Sequence, residues 1–166
     1  MDARALADIE GTLVTAALLA LAVVGVLRLV APGAFTTVRD AFAGLGLWAA
    51  GIVAALATAG SLWFSVSAGF PPCDLCWYQR IAMYPLAVIL LIAAVRRDDG
   101  IRPYAFTLAG IGLAVSAWHN VVETFPSAEL GSCDPANPCS VRWVEGLGFW
   151  TIPRMAAACF VLVIGA

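Results

Sequence analysis

The chain has 166 residues, of which 62% are hydrophobic and only 12% charged, with a net charge of −2. Soluble domains carry about a quarter charged residues, so this composition excludes an ordinary water-soluble globule and points to an integral membrane protein. The small negative charge and the lack of any long charge run exclude nucleic acid as a partner, and all nine basic residues are arginine.

Charges punctuate the chain and mark its helices. The first uncharged run, 11–27, lies between Glu10 and Arg28 and predicts a span over roughly 10–31. Its flank, MDARALADIE, is acidic, and the apolar run is longer than a signal-peptide core. The first span is therefore expected to be a retained helix, not a cleaved leader. The stretch 28–44 then reads as a loop. The next run, between Asp40 and Asp74, predicts a span over 45–67. Ala50, Gly51, Ala54, Ala55 and Ala59 lie at helical spacing there and suit close helix packing. The third span, 77–95, reaches crossing length only by taking in Arg80, and the fifth, 148–166, only by taking in Arg154. Arginine near a span end snorkels to the interface. The fourth span, 103–122, lies between Arg102 and Glu123. Trp48, Trp63, Trp77, Trp118 and Trp150 fall near span ends, as an aromatic belt places them. Only helices and closed barrels satisfy the backbone in lipid, and these runs are too long for barrel strands. The expected fold is an all-α membrane protein: a four-helix transmembrane bundle with one additional N-terminal transmembrane helix. Residues 1–44 would be the extra helix and its loop, and 45–166 the four-helix core.

Arginine counts give an expected orientation. The loops 28–44 and 96–102 share one side and carry Arg28, Arg39, Arg96, Arg97 and Arg102. The other side carries Arg4, Arg142 and the interfacial Arg80 and Arg154. The positive-inside rule makes the first side cytoplasmic. The segments around Cys73 and Cys133 then face outward, where disulfides persist.

Five cysteines are present, and four of them form two local pairs in these outward segments. Pro71 and Pro72 precede Cys73-Asp-Leu-Cys76 and set its entry into a helix. Both thiols then sit near a helix N-terminus, which favours a thiolate. Arg80 follows Cys76 by four residues on the same helical face, where it supports a thiolate or anchors at the interface. The second pair, Cys133-Asp-Pro-Ala-Asn-Pro-Cys139, encloses residues that favour a turn bringing its ends together. Three readings compete: a zinc site, two structural disulfides and a redox relay. The five-residue gap is off the usual zinc-ligand spacing. A C-x-x-C disulfide closes a very short loop and tends towards the labile, catalytic kind. The relay accounts for both pairs. Cys159, inside the last apolar run, reads as a small buried hydrophobe.

Together these motifs carry a resemblance. PCDLCWYQR with IAMYP at 72–85, WHN at 118–120, the CDPANPC loop and LGFWTIP at 147–153 resemble the DsbB family of membrane disulfide oxidoreductases, in particular its Gram-positive-type branch with a short second cysteine loop. The resemblance covers about 45–166. It implies a membrane enzyme that reoxidises a DsbA-like, thioredoxin-fold thiol oxidase outside the cell membrane and passes the electrons to a quinone, ubiquinone or menaquinone. It implies that Cys133 and Cys139 meet the partner, with Cys133 forming the mixed disulfide. Cys73 and Cys76 would lie next to the quinone, with Cys76 facing its ring and Arg80 helping to hold it. His119, the sole histidine, reads either as an interfacial residue or as a proton or hydrogen-bond partner of the quinone, with Glu123 one turn on to orient it or to mark the helix end. Trp77 and Tyr78 would line the quinone pocket or belong to the aromatic belt.

Two other readings stand beside this one. Vitamin K epoxide reductase-like proteins run similar chemistry, but there the loop pair precedes the C-x-x-C, the reverse of the order here. A non-enzymatic membrane scaffold with structural disulfides would need both pairs to resist mild reductants. Transport is less attractive, because no cluster of carboxylates lies in the spans.

Overall fold

In the computed structural model, residues 2–41, 44–129, 131 and 133–166 are described. Six α-helices account for most of them: α1 (Ala3–Val30), α2 (Pro32–Ala41), α3 (Gly46–Val66), α4 (Asp74–Arg96), α5 (Arg102–Thr124) and α6 (Ile152–Gly165). No strand occurs among the described residues, and a single antiparallel bridge joins Gly146 to Trp150. The protein is therefore an all-α membrane protein. Four helices, α1, α3, α4 and the one ending at Thr124, are long and apolar enough to cross a bilayer.

Local sequence explains where the helices begin. Asp2 caps α1 by accepting from the Ala5 N–H at 2.7 Å, so this helix starts well before the expected residue 10. Its 28 residues span about 42 Å, more than the hydrocarbon core requires. The 28–44 stretch is not all loop. Ala31 leaves the helical conformation, and Pro32 starts the short α2, whose Phe35 ring lies under the Arg28 guanidinium. The last helix differs most from expectation. It begins at 152, not 148, because Leu147 and Gly148 take left-handed backbone conformations and Gly146 pairs with Trp150 in a tight turn. Thr151 then precedes the helix and Pro153 occupies its first turn. The resulting 14-residue helix is about 21 Å long, short of a full crossing by itself.

The helices α3, α4, α5 and α6 pack in a closed ring, each against the next and α6 back on α3, while α1 docks on α6. Small residues make this possible. Ala54 and Ala109 are fully buried, and Gly51 packs directly on Leu91. Phe160, also fully buried, projects from α6 onto Gly112 of α5, where any β-carbon would overlap its ring. Leu86 and Leu90 of α4 complete this core. A second, smaller cluster at the end of the bundle gathers Cys73, Leu75, Val122, Cys133 and Cys139. Both cysteine pairs thus lie at one end of the ring.

Candidate active site at the cysteine end of the bundle

Cys73 is the N-cap of α4, and its Sγ accepts from the Cys76 N–H at 3.3 Å. This is the geometry that the double proline and the C-x-x-C spacing demand: an extended residue at the cap and the second cysteine in the first turn. The two sulfurs lie 2.8 Å apart as free thiols, close enough to form a disulfide with little movement. The Cys73 thiol is pulled down to about 5, first by the hydrogen bond from the Cys76 thiol. Burial opposes this, and the His119 imidazole and the Cys76 N–H reinforce it.

His119, one turn before the end of α5, is buried between the two cysteine pairs. Its Nε2 lies 3.0 Å from the Cys139 carbonyl oxygen and 3.8 Å from Cys73 Sγ. Its Nδ1 lies 3.1 Å from Nε2 of the buried Gln79. An amide nitrogen only donates, so Nδ1 accepts and the imidazole proton sits on Nε2, aimed at the Cys139 carbonyl and Cys73. Cys73, Cys76 and His119 bring three metal-ligating atoms within 4.8 Å of one another. A proton on Nε2 that serves a carbonyl suits a hydrogen-bonded imidazole better than a ligand.

Cys133 and Cys139 form a disulfide with Cα atoms 6.0 Å apart, and both are buried. The loop that carries it is tied down at both ends and by a turn of its own. The Asp134 N–H donates to Asp74 Oδ2 at 3.0 Å, which links it to the first turn of α4. The Cys139 N–H donates to Glu129 Oε1 at 2.8 Å. Within the loop, Asp134 accepts from the Ala136 and Asn137 N–H groups, the turn that its Asp-Pro-Ala-Asn sequence favours.

On its other side Cys76 opens onto a cavity of about 320 Å³ that runs between α1, α3, α4 and α6. Its walls are mostly apolar, with Val53, Met83, Met155 and Phe160 among them. A few polar groups reach it: Arg80, Tyr84, Ser61, Gln79 and Glu10. Arg80 donates from Nη2 to the Ser61 carbonyl at 3.1 Å, and Tyr84 donates to Ser61 Oγ at 3.1 Å. A flat apolar ring with carbonyl oxygens at its edge fits such a space, since the walls are greasy and a guanidinium donor is among them. The residues present therefore fit a quinone.

The expected site residues divide between the two sides of the C-x-x-C. Arg80 and Cys76 share the large cavity. His119 does not line it and lies instead with Cys73 towards the disulfide loop. Trp77 is half exposed, outside the cavity lining, and covers the Arg80 guanidinium at 5.3 Å. Glu123 does not touch His119. It accepts from Thr151 Oγ1 at 2.8 Å and faces Arg142 and Arg154, both at 3.9 Å, which fastens α5 to the start of α6. Cys159 is buried and lines the cavity wall. Sequence reasoning passed over Gln79, although it stands between Cys76 and Arg80, because a buried amide has no motif of its own. It read Glu10 only as the border of a span, although a carboxylate in a membrane helix is itself a signal.

The family model for disulfide bond formation protein DsbB matches residues 43–166. The chain is 41% identical over 119 residues to disulfide bond formation protein C of Bacillus subtilis (strain 168), covering 71% of this chain and 86% of that one. It is 39% identical over 108 residues to the SPbeta prophage-derived disulfide bond formation protein B of the same organism, covering 65% of this chain and 73% of the relative. No solved structure matches it.

Proposed function

This chain belongs to the DsbB family of disulfide bond formation proteins, and from that premise we propose that it is a quinone-dependent protein disulfide oxidoreductase of the cell membrane. It reoxidises an extracytoplasmic, DsbA-like thiol oxidase of thioredoxin fold and so sustains disulfide formation in exported proteins. Residues 45–166 carry the relay, and 1–44 add a helix to it. The arginine distribution supports an orientation with the cysteine end outside.

The observation that carries this reading is the position of the C-x-x-C between two different surroundings. Cys73 packs with His119 and the Cys133–Cys139 disulfide, while Cys76 faces the apolar cavity and Arg80. A dithiol so placed takes electrons from one side and releases them on the other. In the first exchange, a thiolate of the partner attacks Cys133, and the partner leaves as a disulfide with Cys133 and Cys139 reduced. One of those thiolates then attacks the Cys73–Cys76 disulfide, which returns Cys133–Cys139 to the oxidised form and leaves the C-x-x-C as a dithiol. The His119 Nε2–H stabilises the Cys73 thiolate released in this step and holds the Cys139 carbonyl beside it. A bound quinone supplies a sink for two electrons and two protons. Arg80 would hold a ring oxygen, and the apolar walls would keep water from Cys76.

Mixing the purified protein with a short-chain quinone and a reduced thioredoxin-fold oxidase is expected to yield quinol, monitored by absorbance. Cys76→Ser is expected to abolish that yield. Full turnover by Cys76→Ser would remove the C-x-x-C from the mechanism.

A further inference from the structure

The helix α1 lies wholly outside the matched residues 43–166, yet it is fitted to the bundle in detail. Gly11 packs under the Trp150 ring, and Gly146 packs on the Ala7 carbonyl. Trp150 donates from Nε1 to Thr15 Oγ1 at 3.0 Å, and the Leu147 N–H donates to Asp8 Oδ1 at 2.7 Å. Both partners belong to the turn that precedes α6. A mere anchor would need none of these contacts.

The docked face also lines the cavity. Glu10, Leu13, Val14 and Ala17 all border it, at the three- and four-residue spacing of one helical face. Only the first is polar. The Glu10 carboxyl lies against Gly60 of α3, where a β-carbon would occupy its own position. The neighbouring Ser61 holds Arg80 through its carbonyl and Tyr84 through its hydroxyl. Glu10, Gly60 and Arg80 each sit six or seven residues in from the cysteine end of their helices, about 10 Å in depth. Glu10 thus stands level with Arg80 across the cavity. No hydrogen bond or ion pair engages its carboxyl among the described residues. An unpaired carboxylate is costly in apolar surroundings, whereas a neutral acid can donate a hydrogen bond or a proton. Carboxyl groups kept inside membrane helices are functional candidates by default.

We propose that Glu10 is a catalytic residue of the quinone site, the acid that delivers a proton to a quinone oxygen as the Cys73–Cys76 dithiol is oxidised. This rests on the quinone reading above. The two sulfurs form a disulfide and give up two electrons. One proton comes from the Cys76 thiol and one from Glu10, so quinone leaves as quinol. Glu10 regains its proton from the aqueous face at the cysteine end. The other titratable or charged groups facing the cavity are Cys76, Arg80 and Tyr84 of α4 and Cys159 of α6, and α3 offers only the hydroxyl of Ser61. None of these is a second carboxyl. The N-terminal helix is therefore part of the active site.

The test uses full-length protein in detergent, with decylubiquinone and menadione as probes. The Cys73–Cys76 pair is reduced, and single-turnover quinol formation is followed across pH. Quinone affinity is measured separately by quenching of tryptophan fluorescence. In Glu10→Gln, which keeps the shape, quinol formation is expected to slow at least tenfold, within the range that general acids contribute. Its pH profile should lose the fall at high pH that marks deprotonation of an essential acid. Affinity should stay within about twofold, a small change in binding free energy. Glu10→Asp should recover part of the rate. A Glu10→Gln protein with the wild-type rate and pH profile would overturn the assignment while Cys76→Ser remained inactive. Equal losses of affinity in Glu10→Gln and Glu10→Asp, with an unchanged profile, would reduce Glu10 to a packing role and also overturn it. Absence of quinol from the wild-type protein with either probe would instead remove the quinone reading and this inference with it.

Discussion

Three donors converge on one sulfur at Cys73: the Cys76 thiol, the Cys76 N–H and the His119 imidazole. Their combined effect holds the thiol near 5, far below the usual 8.5. A thiol lowered in this way is thiolate above its folded value and loses that charge as pH falls through about 5. The stabilisation it lends the reduced protein is therefore complete only above the unfolded thiol's range and vanishes in acid. In Cys76→Ser the serine hydroxyl still donates, so the ultraviolet thiolate absorbance of Cys73, taken as a difference from Cys73→Ser/Cys76→Ser, is expected to titrate well below the usual thiol value. His119→Ala removes a donor and is expected to move that midpoint upward. A midpoint unchanged by His119→Ala would show that the imidazole does not act on this sulfur. At this scale the sequence was legible where chemistry has a motif. The two cysteine pairs and the arginine four residues on could be read directly. Gln79 and Gly60 could not, because their roles come from what faces them: the Nδ1 of His119 in one case and the Glu10 carboxyl in the other.

Among the helices, the contact of Phe160 with Gly112 sets how closely α5 and α6 approach. Gly112→Ala puts a methyl group into the space of that ring, and overpacking of this kind costs about 1–3 kcal/mol. A clear fall in the thermal midpoint in detergent is the expected result, and an unchanged midpoint would mean that the ring moves aside freely. Helix positions were largely evident from the runs between charges, because lipid selects for uncharged segments of a set length. The ends were less evident. Glu10 reads as the limit of the first span and Asp8 as part of its acidic flank, yet Asp8 is used in docking and Glu10 faces the cavity, so α1 continues through both. The GFW segment at 148–150 reads as the start of the last span because it is uncharged. The left-handed Leu147 and Gly148 make it a turn instead, and hydropathy carries no information about backbone handedness.

Over the whole molecule, chemistry is concentrated at one end. Two cysteine pairs, a bridging histidine and the mouth of an apolar cavity lie together, and the rest of the bundle is packing. Composition alone indicated a membrane protein, and cysteine placement indicated a relay. The cavity between α1, α3, α4 and α6 was not visible in the sequence, because it is made by residues from four distant segments. The central claim is that electrons from the Cys133–Cys139 pair reach quinone only through Cys73 and Cys76. The most direct test is to reduce the protein fully, add decylubiquinone in the absence of oxygen, and map the disulfides by mass spectrometry. Wild-type protein is expected to recover both disulfides, whereas Cys73→Ser/Cys76→Ser is expected to keep Cys133 and Cys139 reduced. Quinone-driven recovery of the Cys133–Cys139 disulfide in that double variant would contradict the relay.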